Sequence, residues 1–256
     1  MWRASTRFDD RLFHNLRPHL RLHSISEGVG GVFKPKHMRT ETIPPITDQR
    51  RYLEMGAVVL TALGKFVFMD LLNWRFPFVA AAVLGWTIYV LYRKKKEPTS
   101  INYWGFRKDT FRGALRFMLP FALLSIVTFF AIGLYQESLN LTWHILPILI
   151  SYPIWGTIQQ FLIIALVAGN LHDMKSLQAR KFVIILVTAV LFSLVHFPSY
   201  WLMLGTFLLA LFYGYVYLKV KNLYALGLFH GWLGALFYYT VVGSDPFADV
   251  FLRLFS

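Results

Sequence analysis

Apolar residues fill most of the chain between residues 53 and 242, in runs separated by short polar or charged segments. The runs are roughly 17–25 residues long, which is the length of helix that crosses the apolar core of a bilayer. This pattern predicts seven membrane-spanning helices, at 53–73, 76–92, 114–134, 145–168, 182–197, 200–219 and 223–242. We therefore predict an all-α, polytopic membrane helical bundle whose transmembrane domain occupies 53–244. The last residues, 245–256, are expected to lie along the membrane interface, because apolar side chains recur there at helical spacing.

The composition agrees with a membrane protein. Hydrophobic residues make up 56% of the chain and charged residues 15%, whereas about 25% of the residues in soluble proteins are charged. Cysteine is absent, which excludes a disulfide framework, a thiol nucleophile and a thiolate metal site. The net charge is +13, but no platform of aromatic and basic residues stands outside the predicted helices, so nucleic acid is not an expected partner.

Basic residues concentrate in alternate loops. Eight Lys and Arg face two acids between residues 93 and 116, and further basic loops occur at 175–181 and 219–221. The loops between them carry one Arg in total. Because positively charged loops stay on the cytoplasmic side, this alternation predicts a cytoplasmic N-terminus. We expect an integral protein of a bacterial inner (plasma) membrane.

The first 52 residues form a polar segment with ten Lys and Arg against five acids. Its glycines and its paired prolines, Pro44 and Pro45, predict a mobile cytoplasmic segment. The first 25 residues could instead form a basic amphipathic helix on the membrane surface. They lack the apolar core of a secretory signal, and an organellar leader remains an alternative.

On the fourth, fifth and seventh predicted helices, four amide or imidazole side chains lie within the apolar runs: Gln159, Gln160, His196 and His230. Polar groups within a bilayer must find partners, and they are candidates for a functional site. Adjacent residues on a helix point about 100° apart, so we do not expect the two glutamines to face one partner squarely. Glycines surround the last histidine at Gly227, Gly231 and Gly234, and small residues at this spacing let a neighbouring helix approach closely.

The order and spacing of these residues resemble those of the CPBP family of intramembrane peptidases, which includes the CAAX prenyl protease 2 (type II CAAX endopeptidase) group. That family has two adjacent glutamates with an arginine four residues after the second, then Phe-x-x-x-His, then His-x-x-x-Asn. Here Phe192 with His196, and His230, match the pattern within residues 145–240. The chain departs from it at four positions, which are occupied by Gln159, Gln160, Ile164 and Gly234.

The resemblance implies hydrolysis of a peptide bond within the membrane, with a glutamate activating water. A glutamine amide cannot accept and return a proton, and it can only orient water or donate a hydrogen bond to an oxyanion. A neutral histidine could act as the base instead. The predicted catalytic residues are therefore Gln159, Gln160, His196 and His230. The predicted substrate-binding residues are Phe192, Gly234 and Trp155.

No metal or cofactor is expected, although two histidines and an amide oxygen could form a weak zinc site. Membrane lipids and a membrane-anchored or lipidated peptide are the expected partners. Three functions remain open: a membrane endopeptidase with atypical chemistry, a catalytically inactive relative that binds peptides as a scaffold, and a small transporter. For transport the candidate residues are Lys65 and Asp70, which at five residues apart should be poorly aligned for a direct pair. We expect Lys65 to extend toward the interface or to bond to a neighbouring helix.

Overall fold

The computed structural model describes residues 46–250, which form helices joined by loops, with no β-strand in that part of the chain. In chain order the helices are α1 (Asp48–Leu71), α2 (Arg75–Lys96), α3 (Ser100–Tyr103), α4 (Phe111–Tyr135), α5 (Ile145–Asp173), α6 (Lys181–Leu194), α7 (Tyr200–Val220), α8 (Leu223–Val242) and α9 (Pro246–Val250).

Six of these helices are long and apolar enough to cross a membrane: α1, α2, α4, α5, α7 and α8. The seventh apolar helix, α6, is shorter. It ends at Leu194, three residues before the predicted end, because a turn begins ahead of Pro198. The predicted all-α bundle of about seven membrane helices is confirmed. The short helix α3 was not predicted, since four residues give no periodic signal.

The last five residues of the segment predicted to be mobile, 1–52, are helical in the structure. Residues 1–45, with the predicted amphipathic helix, lie outside the described residues, as do residues 251–256 of the interfacial segment. However, α1 begins at Asp48, so that residues 48–52 are helical. The Thr47 side chain explains this start, because its hydroxyl accepts a hydrogen bond from the Arg50 amide at 3.4 Å and caps the helix.

Helices α5 and α8 form the buried centre of the bundle. Glycines let their backbones touch: a Cβ atom on Gly227 would lie 2.0 Å from Thr157 Oγ1, and one on Gly231 would lie 2.3 Å from the Pro153 nitrogen. On the α5 side, a Cβ atom on Gly156 would lie 2.6 Å from the Gly227 carbonyl oxygen. Such close approach is the contact that the small-residue spacing predicted.

Three of the long helices contain π-helical turns, at Lys65–Leu71 in α1, Phe161–Gly169 in α5 and Tyr238–Val242 in α8. In a π-helix each backbone amide bonds to the carbonyl five residues earlier, as the Leu72 amide does to Val67 at 3.0 Å. Side chains five residues apart are therefore brought to the same side of the helix in these segments, whereas in an α-helix they would point to different sides.

A buried ionic network joins α1 and α2 to α5 at the end of the bundle where α1 begins. Arg93 pairs with Glu54 at 3.2 Å and with Glu97 at 2.6 Å. The other carboxylate oxygen of Glu54 accepts a hydrogen bond from the Asn170 amide at 2.7 Å. The Arg93 and Glu54 side chains are only 1% and 3% exposed, so each charge depends on its partners to offset the loss of water.

Candidate functional site

His230 lies between the two glutamines of α5. Its Nε2–H donates a hydrogen bond to Gln159 Oε1 at 2.8 Å, and the Gln160 amide donates one to His230 Nδ1 at 3.0 Å. This pairing is consistent with a neutral ring that carries its proton on Nε2. Both ring nitrogens therefore have a partner, and both partners are amides.

The two adjacent glutamines were not expected to face one partner squarely, yet both bond to His230. The two ring nitrogens of His230 point in different directions, and each glutamine reaches one of them. The close approach of α8 to Gly156 makes this possible, because that glycine lies one turn before Gln160 and a Cβ atom there would be 3.0 Å from the His230 ring. A two-sided contact was not considered from the sequence.

Phe192 brings His196 to the same site. The His196 Nδ1–H donates to the Phe192 carbonyl oxygen at 2.8 Å, which leaves Nε2 as the acceptor nitrogen of a neutral ring. The Phe192 ring lies 5.0 Å from the His196 ring and 5.6 Å from the His230 ring, measured between centroids. The phenyl ring thus packs against both imidazoles, and its 2% exposure shows that it is enclosed.

A cavity of about 130 Å³ opens beside these groups. Its polar lining includes Gln159, His196 and His230, and its remaining walls are largely apolar and aromatic, among them Trp155 and Phe237. Gly234 also lines it, and a Cβ atom there would meet no atom of the described part of the chain within 4 Å. Gln160 is fully buried and bonded to His230, and its Oε1 atom has no hydrogen-bond partner among the described residues. The seven residues predicted to be catalytic or substrate-binding therefore line the cavity or pack against residues that line it.

The cavity is uncharged. In the part of the chain that the structure describes, no Asp, Glu, Lys or Arg lines it. Likewise, the described residues contain no group of three His, Cys, Asp or Glu that could hold a metal ion. The polar groups present can donate and accept hydrogen bonds, but the amides cannot take up a proton.

Sequence reasoning misjudged Lys65 and Asp70. They form a direct ion pair, with Lys65 Nζ 2.6 Å from Asp70 Oδ2, because the π-helical turn that begins at Lys65 places residues five apart on one side. The bond expected to a neighbouring helix is instead made to the turn that follows α6, since the same ammonium donates to the Phe197 carbonyl oxygen at 2.9 Å.

The buried network around Glu54 was also missed. The basic residues of the loops predicted only orientation, and Arg93 was counted among them. Two signals were available in the sequence: Glu54 is an acid at the start of an apolar run, and Asn170 is an amide at the end of another. Polar residues in such places need buried partners.

The fold and the site define an integral membrane protein with a polar cavity between its helices. Residues 110–236 match the family model described as type II CAAX prenyl endopeptidase Rce1-like. The chain therefore belongs to the Rce1-like, CAAX-protease-like family, as the resemblance predicted. The matched region begins well before residue 145 and leaves α1 and α2 outside it. No curated protein and no solved structure matches the chain.

Proposed function

We propose that the cavity binds a membrane-anchored peptide, either lipidated or transmembrane, and that it does so without glutamate-driven hydrolysis. The observation that carries this proposal is the pairing of His230 with two amides beside an uncharged, largely apolar cavity. An extended peptide backbone needs hydrogen-bond partners in a bilayer, and amide and imidazole groups can supply them. The apolar walls suit the side chains or the lipid of such a ligand.

The same pairing disfavours His230 as a general base. Its Nδ1 lone pair already accepts from Gln160, and its Nε2 carries the proton given to Gln159. Accepting a further proton would require the Gln160 bond to break. A base that must first lose a buried hydrogen bond starts at a disadvantage of about 0.5–1.5 kcal/mol.

A second candidate function, peptide hydrolysis, is favoured by His196. Its Nδ1–H is anchored on the Phe192 carbonyl, so the Nε2 lone pair is available to a water molecule in the cavity that the residue lines. In this version His196 is the base and Gln159 orients water or the oxyanion. A transporter is the third alternative, and flux of ions or solutes in liposomes would support it.

Photo-capture tests the binding proposal. The purified protein in liposomes is exposed to a farnesylated peptide that carries a photoreactive group and, separately, to a transmembrane peptide with the same group. We expect capture by the wild type and its loss in His230→Ala. His172→Ala, at the far end of α5 and 33% exposed, is the matched control and should capture normally. No capture of either peptide by the wild type would overturn the proposal.

Mass spectrometry of the same incubations separates binding from hydrolysis. Intact peptides after long incubation with the wild type support binding alone. Cleavage that disappears in His196→Ala supports the second candidate and overturns the first.

We further propose that the protein lies in a bacterial inner membrane with its N-terminus in the cytoplasm, because basic loops alternate with nearly neutral ones. Reporter fusions at residues 97–110 and 135–144 should report opposite sides. Reports from the same side would contradict this topology.

A further inference from the structure

Lys65 contacts the loop that carries His196. Its ammonium donates to the carbonyl oxygen of Phe197, the residue after the histidine, at 2.9 Å. Lys65 belongs to α1, which lies outside the matched family region of 110–236. This contact is therefore a feature of the chain that the family match does not account for.

The Phe197 carbonyl needs a donor from elsewhere. It lies just past the end of α6 at Leu194, where carbonyl groups have no partner within the helix. Among the hydrogen bonds of the described residues, the Phe197 carbonyl accepts from Lys65 and from no backbone amide. In a bilayer an unpaired carbonyl is costly, and Lys65 supplies the missing hydrogen bond.

Lys65 can serve there because its charge is balanced. Asp70 lies 2.6 Å from the ammonium, and the Phe66 ring lies 4.5 Å from the ammonium nitrogen. The Lys65 side chain is 22% exposed and that of Asp70 37%. A cation within a membrane helix is retained where it is paired in this way, and the π-helical turn at Lys65–Leu71 creates the pair.

Two hydrogen bonds attach His196, which lines the cavity, to the end of α6. The His196 amide bonds to the Ser193 carbonyl at 3.0 Å, and its ring bonds to the Phe192 carbonyl at 2.8 Å. The peptide group that links His196 to Phe197 is held by its own backbone bonds, since the Phe197 amide donates to the Leu194 carbonyl at 3.1 Å and the His196 carbonyl accepts from the Ser199 amide at 3.0 Å. Lys65 holds the next peptide group, through the carbonyl oxygen of Phe197. Release of the Lys65 bond would therefore free the Phe197 carbonyl, one residue after the histidine, and leave the backbone bonds of His196 in place.

We propose that Lys65, paired with Asp70, is a positioning residue that holds the His196 loop in the orientation in which the histidine lines the cavity. The expected effect of Lys65 on ligand capture rests on the proposed peptide binding. The expected effect of Lys65 on the orientation of His196 rests only on the contacts that Lys65 makes.

The test compares Lys65→Met, Lys65→Arg and Lys181→Met. The last is the matched control, since it removes a lysine from the exposed start of α6, far along the helix from His196. Two readouts are measured in detergent and in liposomes: the ring signals of His196 in protein labelled with ¹⁵N-histidine, assigned with a His196→Ala variant, and photo-capture of the farnesylated peptide.

Lys65→Met should shift the His196 ring signals and weaken capture about tenfold, as expected for the loss of one charge-assisted hydrogen bond. Lys65→Arg should restore both, because it keeps a charged donor, and Lys181→Met should change neither. Unchanged His196 signals in folded Lys65→Met protein would overturn the inference.

Two outcomes separate this inference from the proposed function. If the wild type captures no peptide, the proposed function fails, and the His196 signals still decide the role of Lys65. If Lys65→Met does not fold, Asp70→Asn carries the test, because it keeps the lysine and removes only its counter-ion. Shifted His196 signals in that variant support the positioning role, and unchanged signals overturn it.

Discussion

Gln160 donates a hydrogen bond to Nδ1 of His230 across 3.0 Å, and this bond places the proton of the imidazole on its other nitrogen. Gln159 accepts from that other nitrogen at 2.8 Å. The two glutamines thus have opposite roles toward one ring, one as donor and one as acceptor. Because of these opposite roles, the same substitution at the two positions should have different effects on His230, although the two side chains are chemically identical.

Gln160→Glu should change the protonation of His230, whereas Gln159→Glu should not change its tautomer. An ionised carboxylate at 160 can only accept, so at a pH where the new carboxyl is ionised the ring must place a proton on Nδ1, either by changing tautomer or by becoming charged. A carboxylate at 159 still accepts from Nε2–H. The ¹⁵N signals of His230 distinguish these states, and identical spectra for the two variants would contradict the assigned roles.

Gly227→Ala and Gly231→Ala should each destabilise the protein by about 1–3 kcal/mol, the usual cost of overpacking. The added methyl group would lie 2.0 Å from Thr157 Oγ1 in the first case and 2.3 Å from the Pro153 nitrogen in the second. Gly234→Ala is the control on the same helix, since nothing lies within 4 Å of its added carbon. Unfolding in detergent measures all three, and a Gly234→Ala loss as large as the others would refute this account.

Glu54→Gln should cost about 3–5 kcal/mol in the free energy of unfolding, because it leaves Arg93 buried with one counter-ion fewer. The exposed pair of Arg107 and Asp109 provides the comparison, with side chains 38% and 63% exposed. Asp109→Asn should have little measurable effect, since exposed ion pairs contribute little. Equal losses from the two variants would show that burial does not decide the cost.

Acid should weaken the attachment of α9 through Asp245. Burial raises the pKa of this carboxyl, but hydrogen bonds, chiefly those from His144 and Tyr239, outweigh it and lower the pKa to about 2. A carboxylate with a folded pKa below its usual value of 3.8 stabilises the fold above about pH 4. That contribution should be lost as the pH falls from about 4 toward 2.

The stability of Asp245→Asn should depend less on pH over this range than that of the wild type. Thermal unfolding from pH 2 to pH 6 measures the difference. The same slope in both proteins would exclude Asp245 as its origin.

The sequence predicted the helices well because the length of an apolar run is fixed by the thickness of the bilayer. Polar groups in apolar runs have few alternative partners, and those of α5, of α8 and of the turn after α6 do lie close together, although their roles stay a prediction. Sequence reasoning failed where the backbone departs from α-helical geometry, as between Lys65 and Asp70. It failed again where long charged side chains fold inward, as Arg93 does toward Glu54. The sequence does not distinguish a charged side chain near a loop that is solvated from one that is buried.

The π-helical turn that follows Gln160 affects how this chain should be compared with relatives. The resemblance assigns Ile164 to the position of the family's arginine by counting four residues, which is one turn of an α-helix. Within Phe161–Gly169 a turn holds more residues than that, so the fifth residue, Ala165, is an equally good structural counterpart. Both side chains are buried, at 0% and 1% exposure. An alignment of this region should therefore allow a one-residue gap, and substitutions there are better assigned by superposition than by counting.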